Sequence, residues 1–483
     1  MVLNAGEGLR ENSGSAYDWS TLSFFGRLNY GYDNKYLLDV TFRRDGSSRF
    51  GSENPWGNFA SVGAAWRISD EGFMAATQNW LDDFKLRVSW GQSGNDNIGN
   101  YNSYSTYRLN VANTCYPITG QNVLASGFAI SAFGNPGTKW ETTISKTFGI
   151  DATFFNRLNL TFDLWQKDTK DMLYQEVIPA VLGNATAPSV NVGDMRNRGF
   201  DLQLNYRSPL NRDFNYNLIL NVSHYKNEII KLSSREGETL MGYSYRQFPI
   251  VQTEKGQPYP SFWGYDVVGL FQSQEEASSY APQFGGAYNK AGQFKFRDVN
   301  DDGVIDGDDR TYIGNPHPDF IASLIGNLNY KKFQLVANFY SSVGNDMVNL
   351  LLRTTDMNFF LSNRSKKRLY ESWGSPYLKD NKDAKMPIAQ VNDSYSQLPS
   401  SYYVEDGSYL RLRNLQLGYE LSGHLKKLRV SRFQVYISAS DLFTISKYSG
   451  LDPSVNASDS GYGVDLGNWP APRRYMLGIN MSF

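Results

Sequence analysis

The sequence predicts an all-β protein, a transmembrane antiparallel β-barrel, and two observations carry this prediction. At the C-terminus, every second residue is large and apolar, with smaller or more polar residues between them: Tyr475, Leu477, Ile479, Met481 and Phe483. A period of two is typical of a strand with two different faces. The composition agrees, because 32 Tyr, 29 Phe and 10 Trp supply the aromatic girdles of an outer-membrane barrel. The apolar row of this last strand is therefore expected to face lipid.

Composition and charge leave the barrel possible and exclude several other classes. The mean hydropathy of -0.47 is that of a soluble protein, but the alternation of lipid-facing and interior residues gives barrels low averages as well. The net charge is -1 and the basic residues are dispersed, which argues against nucleic-acid binding. A lone Cys115 excludes an internal disulfide, and the three histidines (His224, His317, His424) are too far apart in sequence to indicate a zinc site.

Strand periodicity recurs along the whole chain. Counting doubtful segments, we expect about 14 to 16 strands. The clearest begin at Phe24, Tyr36, Ala60, Phe84, Phe148, Leu158, Phe200, Tyr216, Phe320, Phe333, Leu415 and Phe433. In the central strands the residues between the apolar ones are polar, such as Asn159, Thr161 and Asp163. This pattern indicates an apolar outer face and a polar interior.

The predicted connections differ strongly in length. Short ones lie at 33–35, 155–157, 208–213 and 331–332, and long ones at 69–81, 226–261, 272–318 and 342–408. Outer-membrane barrels have short periplasmic turns and long extracellular loops. We therefore expect the long connections to form the extracellular end.

An acidic segment is the most specific local motif. Its oxygen donors occupy positions 1, 3, 5, 7 (a backbone carbonyl), 9 and 12 of a calcium-binding loop: Asp298, Asn300, Asp302, Val304, Asp306 and Asp309. Gly303 stands at position 6, where such loops turn sharply. Asp309 replaces the usual Glu, and no amphipathic helix flanks the loop. We expect a structural calcium site here, and the alternative is an acidic turn held by its own Asx hydrogen bonds.

Catalytic patterns are weak, and the chain is not expected to be an enzyme. The segment Gly91-Gln92-Ser93-Gly94-Asn95 lacks the second glycine of a nucleophile elbow. Aromatic loop residues could instead stack on sugar rings or hold peptide side chains, although they could equally form an interfacial girdle or loop packing. These candidates are Tyr101, Tyr104, Tyr107, Tyr243, Tyr245, Phe248, Trp263, Tyr265, Tyr402 and Tyr403. The sequence does not identify which residues would contact a substrate.

The chain also resembles a known family, the SusC/RagA-type TonB-dependent outer-membrane transporters of Bacteroidota. The resemblance rests on stretches spread over nearly the whole chain, among them KYLLDVTFRRDGSSRFG (35–51), LRVSWGQSGN (86–95), FKFRDVNDDGVIDGDDRTYIGNPHPDF (294–320), DGSYLRLRNLQLGYEL (406–421) and WPAPRRYMLGINMSF (469–483). Departures are small: Asp441 stands where the family usually has Asn, and Ser454 where Glu is common.

This resemblance implies a fold, an activity and partners. Family barrels have about 22 strands, so residues 1–483 are expected to be the C-terminal portion of the barrel with its long extracellular loops, while the plug domain and the first strands are not in this sequence. The implied function is TonB-dependent import of nutrients, mostly oligosaccharides or glycans, with peptides as the alternative; a passive porin or adhesin barrel and a secreted β-enzyme are less favoured. The implied partners are a SusD-like lipoprotein lid, the TonB complex contacted through the N-terminal region, outer-membrane lipid and lipopolysaccharide, and a second transporter–lipoprotein pair.

Overall fold

A single large antiparallel sheet dominates the computed structural model. The structure describes residues 16–482 apart from 109–114, 117–124, 176–184, 211–212, 233–239, 242–243, 247, 358–362, 392, 422–430, 456 and 459. Within these residues, the sheet has thirteen strands. They are Thr21–Tyr32 (β1), Tyr36–Ser47 (β2), Trp56–Arg67 (β3), Leu81–Asn95 (β4), Glu141–Phe154 (β5), Leu158–Gln175 (β6), Ser189–Arg207 (β7), Phe214–Lys231 (β8), Phe320–Tyr330 (β9), Phe333–Val343 (β10), Tyr409–Glu420 (β11), Arg432–Ser446 (β12) and Arg474–Ser482 (β13).

The strands are ordered in the sheet as they are in the chain, so that each pairs with the next from β1 to β13. This meander confirms the predicted all-β architecture. The sheet has one strand fewer than the lower end of the expected range, because the other strands of the described ranges are short and lie in the connections. The final residue of the predicted terminal strand, Phe483, and the histidine at His424 lie outside the described residues.

The register of the sheet aligns the predicted apolar rows with one another. Representative partners are Leu38 with Ala64, Phe162 with Leu202, Leu324 with Phe339, and Ile437 with Leu477. Many large side chains of this face are exposed, and 77% of the surface of Leu477 is accessible. A continuous apolar surface of this extent suits hydrocarbon better than water. The periodicity seen in the sequence therefore marks a single face of the folded sheet.

The opposite face is polar and internally paired. Arg87 donates to both carboxylate oxygens of Asp151 at 2.9 Å. Gln203 donates to Asn221, which in turn donates to Ser323, so that one ladder of amide and hydroxyl groups crosses three strands. Such cross-strand pairs hold neighbouring strands together. This face has the polar character predicted for a barrel interior.

Tight turns join β1 to β2 and β5 to β6. Asp33 and Asn34 have φ of 52° and 53°, and Phe155 and Asn156 have φ of 52° and 55°. Two consecutive positive φ values match the twist of a two-residue hairpin, and Asn and Asp adopt them more easily than most residues. The short connections predicted at these positions are confirmed.

Because consecutive strands are antiparallel, connections alternate between the two ends of the sheet. One end has 33–35, 68–80, 155–157, 208–213, 331–332 and 421–431, and the other has 48–55, 96–140, 176–188, 232–319, 344–408 and 447–473. The longest connections therefore share one end, as expected. The prediction was wrong for 69–81, which lies at the end of the short turns and folds into two 3-10 turns, Ile68–Asp70 and Gly72–Thr77.

The connections contain the remaining elements. Short strands lie at Thr106–Arg108, Cys115–Tyr116, Ala125–Ser126, Ala129–Ala132, Leu240–Met241, Ser244–Tyr245, Phe248–Pro249, Val251–Thr253, Ser261–Gly264, Val267–Leu270, Phe294–Phe296, Thr311–Gly314, Asp346–Asn349, Val404–Asp406 and Val464–Asp465. Helices lie at Gln274–Ser279 (α1), Leu351–Thr355 (α2) and Lys366–Glu371 (α3), and further 3-10 turns at Gly307–Asp309, Asn381–Asp383 and Ser401–Tyr403. Among the described residues, none of the helices combines the length and the apolar character that a membrane crossing requires.

Candidate functional site

Three long connections fold together into one unit, which we call the loop assembly (residues 232–319, 344–408 and 447–473). Asp346–Asn349 pairs antiparallel with Val404–Asp406 and parallel with Val464–Asp465, so that a small sheet joins two of the connections. A shared hydrophobic core also includes Phe248 and Phe262 from the first connection. The main buried core of the described protein thus lies in the loop assembly, where it holds the polar groups of the connections in fixed positions.

The core explains four of the ten aromatic loop residues that the sequence marked as possible ligand contacts. Phe248, Tyr265 and Tyr403 are buried members of it, with 1%, 6% and 0% of their surfaces exposed. The hydroxyl of Tyr402 donates to Asp356 at 3.2 Å. These residues act in packing, which was the alternative interpretation of the aromatic loops.

A second group of predicted aromatic residues remains accessible. Tyr101, Tyr104 and Tyr107 are 43%, 68% and 60% exposed, and Tyr107 makes an edge contact with Phe128 at 6.0 Å. Tyr243 lies outside the described residues, as does the side chain of Tyr245. The exposed tyrosines lie on the 96–140 connection, at the end of the sheet that also bears the loop assembly.

The acidic segment forms a compact turn on the loop assembly. Asp298 accepts the N–H of Gly303 at 2.9 Å, Asn300 that of Asp302 at 3.1 Å, and Asp302 that of Val304 at 2.9 Å. Gly303 has φ of +81° and open space around its α-carbon, which matches the sharp turn predicted at this position. These Asx hydrogen bonds set the conformation of the first half of the loop.

A capping box sets the second half. Asp306 precedes the 3-10 turn Gly307–Asp309, and Asp309 accepts the N–H of Asp306 at 2.8 Å and that of Val299 at 2.7 Å. Asp309 is completely buried, so the last predicted ligand anchors the loop to itself. Its oxygens still have lone pairs beyond those used by the N–H groups.

The predicted metal ligands can be judged against this geometry. In the described part of the chain, no three His, Cys, Asp or Glu side chains form a group that could hold a metal ion. A cation in this loop would therefore also need the amide oxygen of Asn300 and the carbonyl of Val304, as the spacing predicts. Oδ1 of Asp298 is shielded from solvent and has no hydrogen-bond partner, so it is available to a cation. Calcium binding remains a prediction.

A polar cavity of about 310 Å³ lies where the loop assembly meets the polar face of the sheet. Its lining includes Tyr340 and Ser342 from β10, Tyr409 and Arg413 from β11, and Tyr462 from the 447–473 connection. The volume is at the lower end of the range of ligand cavities, about 300 to 1,000 Å³. Aromatic faces and hydroxyl groups at this junction could bind a sugar ring or a peptide unit.

Next to this cavity, His317 joins the loop assembly to the sheet. Its Nε2 lies 2.7 Å from the carbonyl oxygen of Tyr259, to which it donates, and its Nδ1 then accepts from the hydroxyl of Tyr225 at 3.1 Å. Burial lowers the pKa of His317, and the hydrogen bond to Tyr259 offsets only part of that shift. The imidazole is therefore a neutral structural link and not a general acid at neutral pH.

A buried ion pair fixes the other side of the cavity. Arg411 of β11 donates to Asp452 in the 447–473 connection, and their side chains are only 7% and 4% exposed. Arg411 also donates to Thr444 at 2.9 Å and Ser454 at 3.1 Å. The sequence pattern did not reveal this pair, because the two residues are 41 positions apart and their pairing depends on how the connection folds back.

The weak resemblance to a nucleophile elbow has a structural explanation. Gly91 to Asn95 are the last residues of β4 and continue its pairing with β5. A side chain at Gly94 would collide with the ring of Phe59. The glycine therefore accommodates an aromatic side chain in the sheet, and Ser93 lies on a regular strand and not on a strained turn.

Comparisons with known proteins agree with this architecture. Residues 4–438 match the family model described as TonB dependent receptor-like, beta-barrel. The chain is 32% identical over 96% of its length to TonB-dependent receptor P3 of Formosa agariphila, and 29% identical over 98% to TonB-dependent receptor SusC of Bacteroides thetaiotaomicron. It covers 45% of each of these two relatives.

A solved structure gives the same result. The RagAB peptide transporter superposes with a TM-score of 0.78 at 30% identity, over 96% of this chain and 47% of that one. The chain thus spans about half the length of the relatives that it matches.

Proposed function

The chain belongs to the TonB-dependent receptor-like β-barrel family of outer-membrane transporters, and on that basis we propose that it forms part of an importer that takes up nutrient oligomers through the outer membrane. The family is one of transporters, not enzymes. The observation that carries the proposal is the loop assembly, which packs on the polar face of the sheet and encloses an aromatic, polar cavity there. The chain spans about half the length of its relatives. Import is therefore proposed for the whole transporter, in which residues 1–483 would form the C-terminal portion of the barrel.

The proposed substrates are oligosaccharides. The tyrosines of the cavity and the exposed Tyr101, Tyr104 and Tyr107 offer flat faces for sugar rings. Peptides are the second candidate, and the likeness to the RagAB peptide transporter favours them. Both classes are oligomers with repeated polar units, so the same cavity could accept one unit of either.

The proposed partners follow from the same family. A SusD-like surface lipoprotein would close the end of the barrel that bears the loop assembly, and the TonB complex would supply energy through the N-terminal region of the whole protein. The hydrophobic core of the loop assembly supports this proposal, because it orders the surface on which a lipoprotein would dock. Docking on an ordered surface costs less conformational entropy than docking on flexible loops. We further propose that two transporter–lipoprotein pairs associate and that the apolar face of the sheet contacts lipid and lipopolysaccharide.

Uptake in the native host tests the proposal. Deletion of the gene should abolish accumulation of one of two labelled panels, oligosaccharides or peptides, and dissipation of the proton-motive force should abolish it in the wild type. Uptake that persists without the proton-motive force would indicate a passive porin instead. Purification of a detergent-free, soluble monomer would contradict any membrane barrel.

We also propose that the acidic loop binds calcium and thereby stiffens the loop assembly. The unpartnered Oδ1 of Asp298 supports this proposal. The double substitution Asp298→Ala and Asp302→Ala should remove the calcium dependence of the thermal unfolding temperature, whereas Asp308→Ala, outside the ligand pattern, should retain it. A wild-type melting curve that a chelator does not change would contradict the proposal.

A further inference from the structure

Arg413 occupies an unusual position in the sheet. In the pairing of β10 with β11, Phe339 faces Leu412 and Asn338 faces Asn414, so that Arg413 has no partner. The pairing of β11 with β12 skips Arg413 as well. Arg413 is thus the extra residue of a β-bulge, and bulges of this kind change the direction of a side chain and are frequent next to functional sites.

The bulge places the guanidinium of Arg413 on an aromatic ring of the cavity. Its central carbon lies 3.6 Å from the centroid of the Tyr340 ring, and both residues line the cavity. A guanidinium stacked in this way uses its flat face, which leaves the N–H donors on its edge available. The ring therefore holds the cation in place without consuming its hydrogen-bonding capacity.

Comparison with Arg411, two residues earlier on the same strand, shows what Arg413 lacks. Arg411 is buried and paired with Asp452. Arg413 is exposed, and among the described residues it forms no ion pair or hydrogen bond. The described lining of the cavity contains no carboxylate. One arginine therefore has a structural role in this strand, and the other brings an unneutralised charge to the cavity.

We propose that Arg413, stacked on Tyr340, binds a carboxylate of the transported molecule, so that the cavity is a subsite for acidic units of an oligomeric nutrient. This inference rests on the proposed import function and specifies its substrate. A guanidinium binds a carboxylate through two parallel N–H···O hydrogen bonds. The hydroxyl of Ser342 and the rings of Tyr409 and Tyr462 supply the polar and flat surfaces around it.

Two natural sources carry this chemistry: a uronic acid in a glycan, and the C-terminal carboxylate of a peptide. Two pairs of probes separate them. One pair is trigalacturonic acid and its methyl ester, and the other is trialanine and its C-terminal amide. Within each pair the size and shape are nearly constant and only the negative charge changes. The pair that shows a preference for its acid identifies the source.

The experiment is titration calorimetry on the complete protein purified in detergent, together with any lipoprotein that co-purifies. The wild type should bind one acid at least about tenfold more tightly than its neutral counterpart, as expected for a charge-assisted, two-point contact. Arg413→Gln should abolish this preference, and Arg413→Lys should recover only part of it because lysine cannot form the planar fork.

Arg44→Gln is the matched control. Arg44 also stacks on an aromatic ring, at 5.1 Å from the centroid of Trp56, but it lies outside the cavity lining and should leave the preference unchanged. Equal affinity of the wild type for acid and neutral probes, or absence of binding to both acids, would overturn the subsite. A preference that survives in Arg413→Gln would also overturn it. If that variant does not fold, Arg413→Lys, which keeps the charge, decides: a preference as strong as that of the wild type would overturn the two-point contact.

The outcomes for the subsite and for import are distinguishable. Uptake that depends on the proton-motive force without any preference for an acid would refute the subsite and leave the import function intact. Acid-dependent binding by a protein that supports no uptake would refute import and retain the subsite.

Discussion

Removal of the carboxylate of the buried ion pair should release the 447–473 connection from the sheet. Asp452 accepts hydrogen bonds from the N–H of Ser454 at 2.9 Å and from the N–H of Ala471 at 3.1 Å, in addition to that from Arg411. Asp452→Asn retains the shape of the side chain but removes its charge. Arg411 would then be a buried cation without a counter-charge.

Breaking a buried pair in this way costs about 3 to 5 kcal/mol. Arg411 would regain hydration only when the connection opens, so the cost appears mainly in the equilibrium for local opening. Since about 1.4 kcal/mol corresponds to a factor of ten, the connection should open roughly 10² to 10⁴ times more often. The same change should have little effect on β1 to β4, which lie at the other edge of the sheet in its strand order.

Hydrogen exchange measured by mass spectrometry provides the assay. The N–H groups of Val348 and Leu350 donate to the carbonyl oxygens of Gly463 and Asp465 at 2.8 and 3.0 Å, so their protection reports whether the connection is in place. Asp452→Asn should increase their exchange strongly. Arg27→Gln is the control, because the Arg27–Asp39 pair is largely exposed and exposed pairs contribute little. Unchanged exchange at Val348 and Leu350 in Asp452→Asn would refute the reasoning.

The same pair makes the stability of the connection depend on pH. Burial by itself would raise the pKa of Asp452, but hydrogen bonds from Ser454, Ala471 and Arg411 outweigh this effect and lower it. A carboxyl group with a lowered pKa in the folded state stabilises that state above its unfolded pKa, which is about 4. The stabilisation should therefore persist at neutral pH and be lost as the pH falls through the lowered pKa.

Two further predictions concern the loop assembly. Gly292→Ala should destabilise it more than Gly303→Ala, as measured by limited proteolysis. Both glycines have positive φ, but only a side chain at position 292 would collide with a neighbour, the ring of Trp373. Equal effects of the two substitutions would show that the collision is relieved. Burial, followed by repulsion from Asp406 and Asp319, raises the pKa of Asp346, so its ionisation opposes folding. The melting temperature should increase as the pH falls through that raised pKa, and Asp346→Asn should remove this increase; a variant with the same pH profile as the wild type would contradict the assignment.

The order of the long connections along the chain explains why they fold together at one end of the sheet. In a meander, all connections between an even-numbered strand and the next odd-numbered strand lie at the same end. The connections 232–319, 344–408 and 447–473 are of this kind, so they meet and share one core. The chain thereby builds one folded surface at the end opposite to the short turns.

The sequence by itself determined the class of fold and the orientation of the strands. Alternation such as Leu477, Ile479 and Met481 specifies which face of a strand is apolar, because strand side chains point to opposite faces at successive residues. That rule is local, and it was sufficient to predict the large sheet, its apolar face and the tight turn at 33–35. A second local pattern, the spacing of the oxygen donors in the acidic segment, predicted the calcium loop, whose binding of calcium stays a prediction.

Only the tertiary structure decided what the connections do. The burial of Tyr403 in a core, the pairing of Arg411 with Asp452 and the stacking of Arg413 on Tyr340 all join residues that are far apart in the chain or displaced by a bulge. Such contacts depend on how three connections fold back on each other, which no local period encodes. For the same reason two arginines separated by one residue have different environments, one neutralised and buried and the other exposed to the cavity.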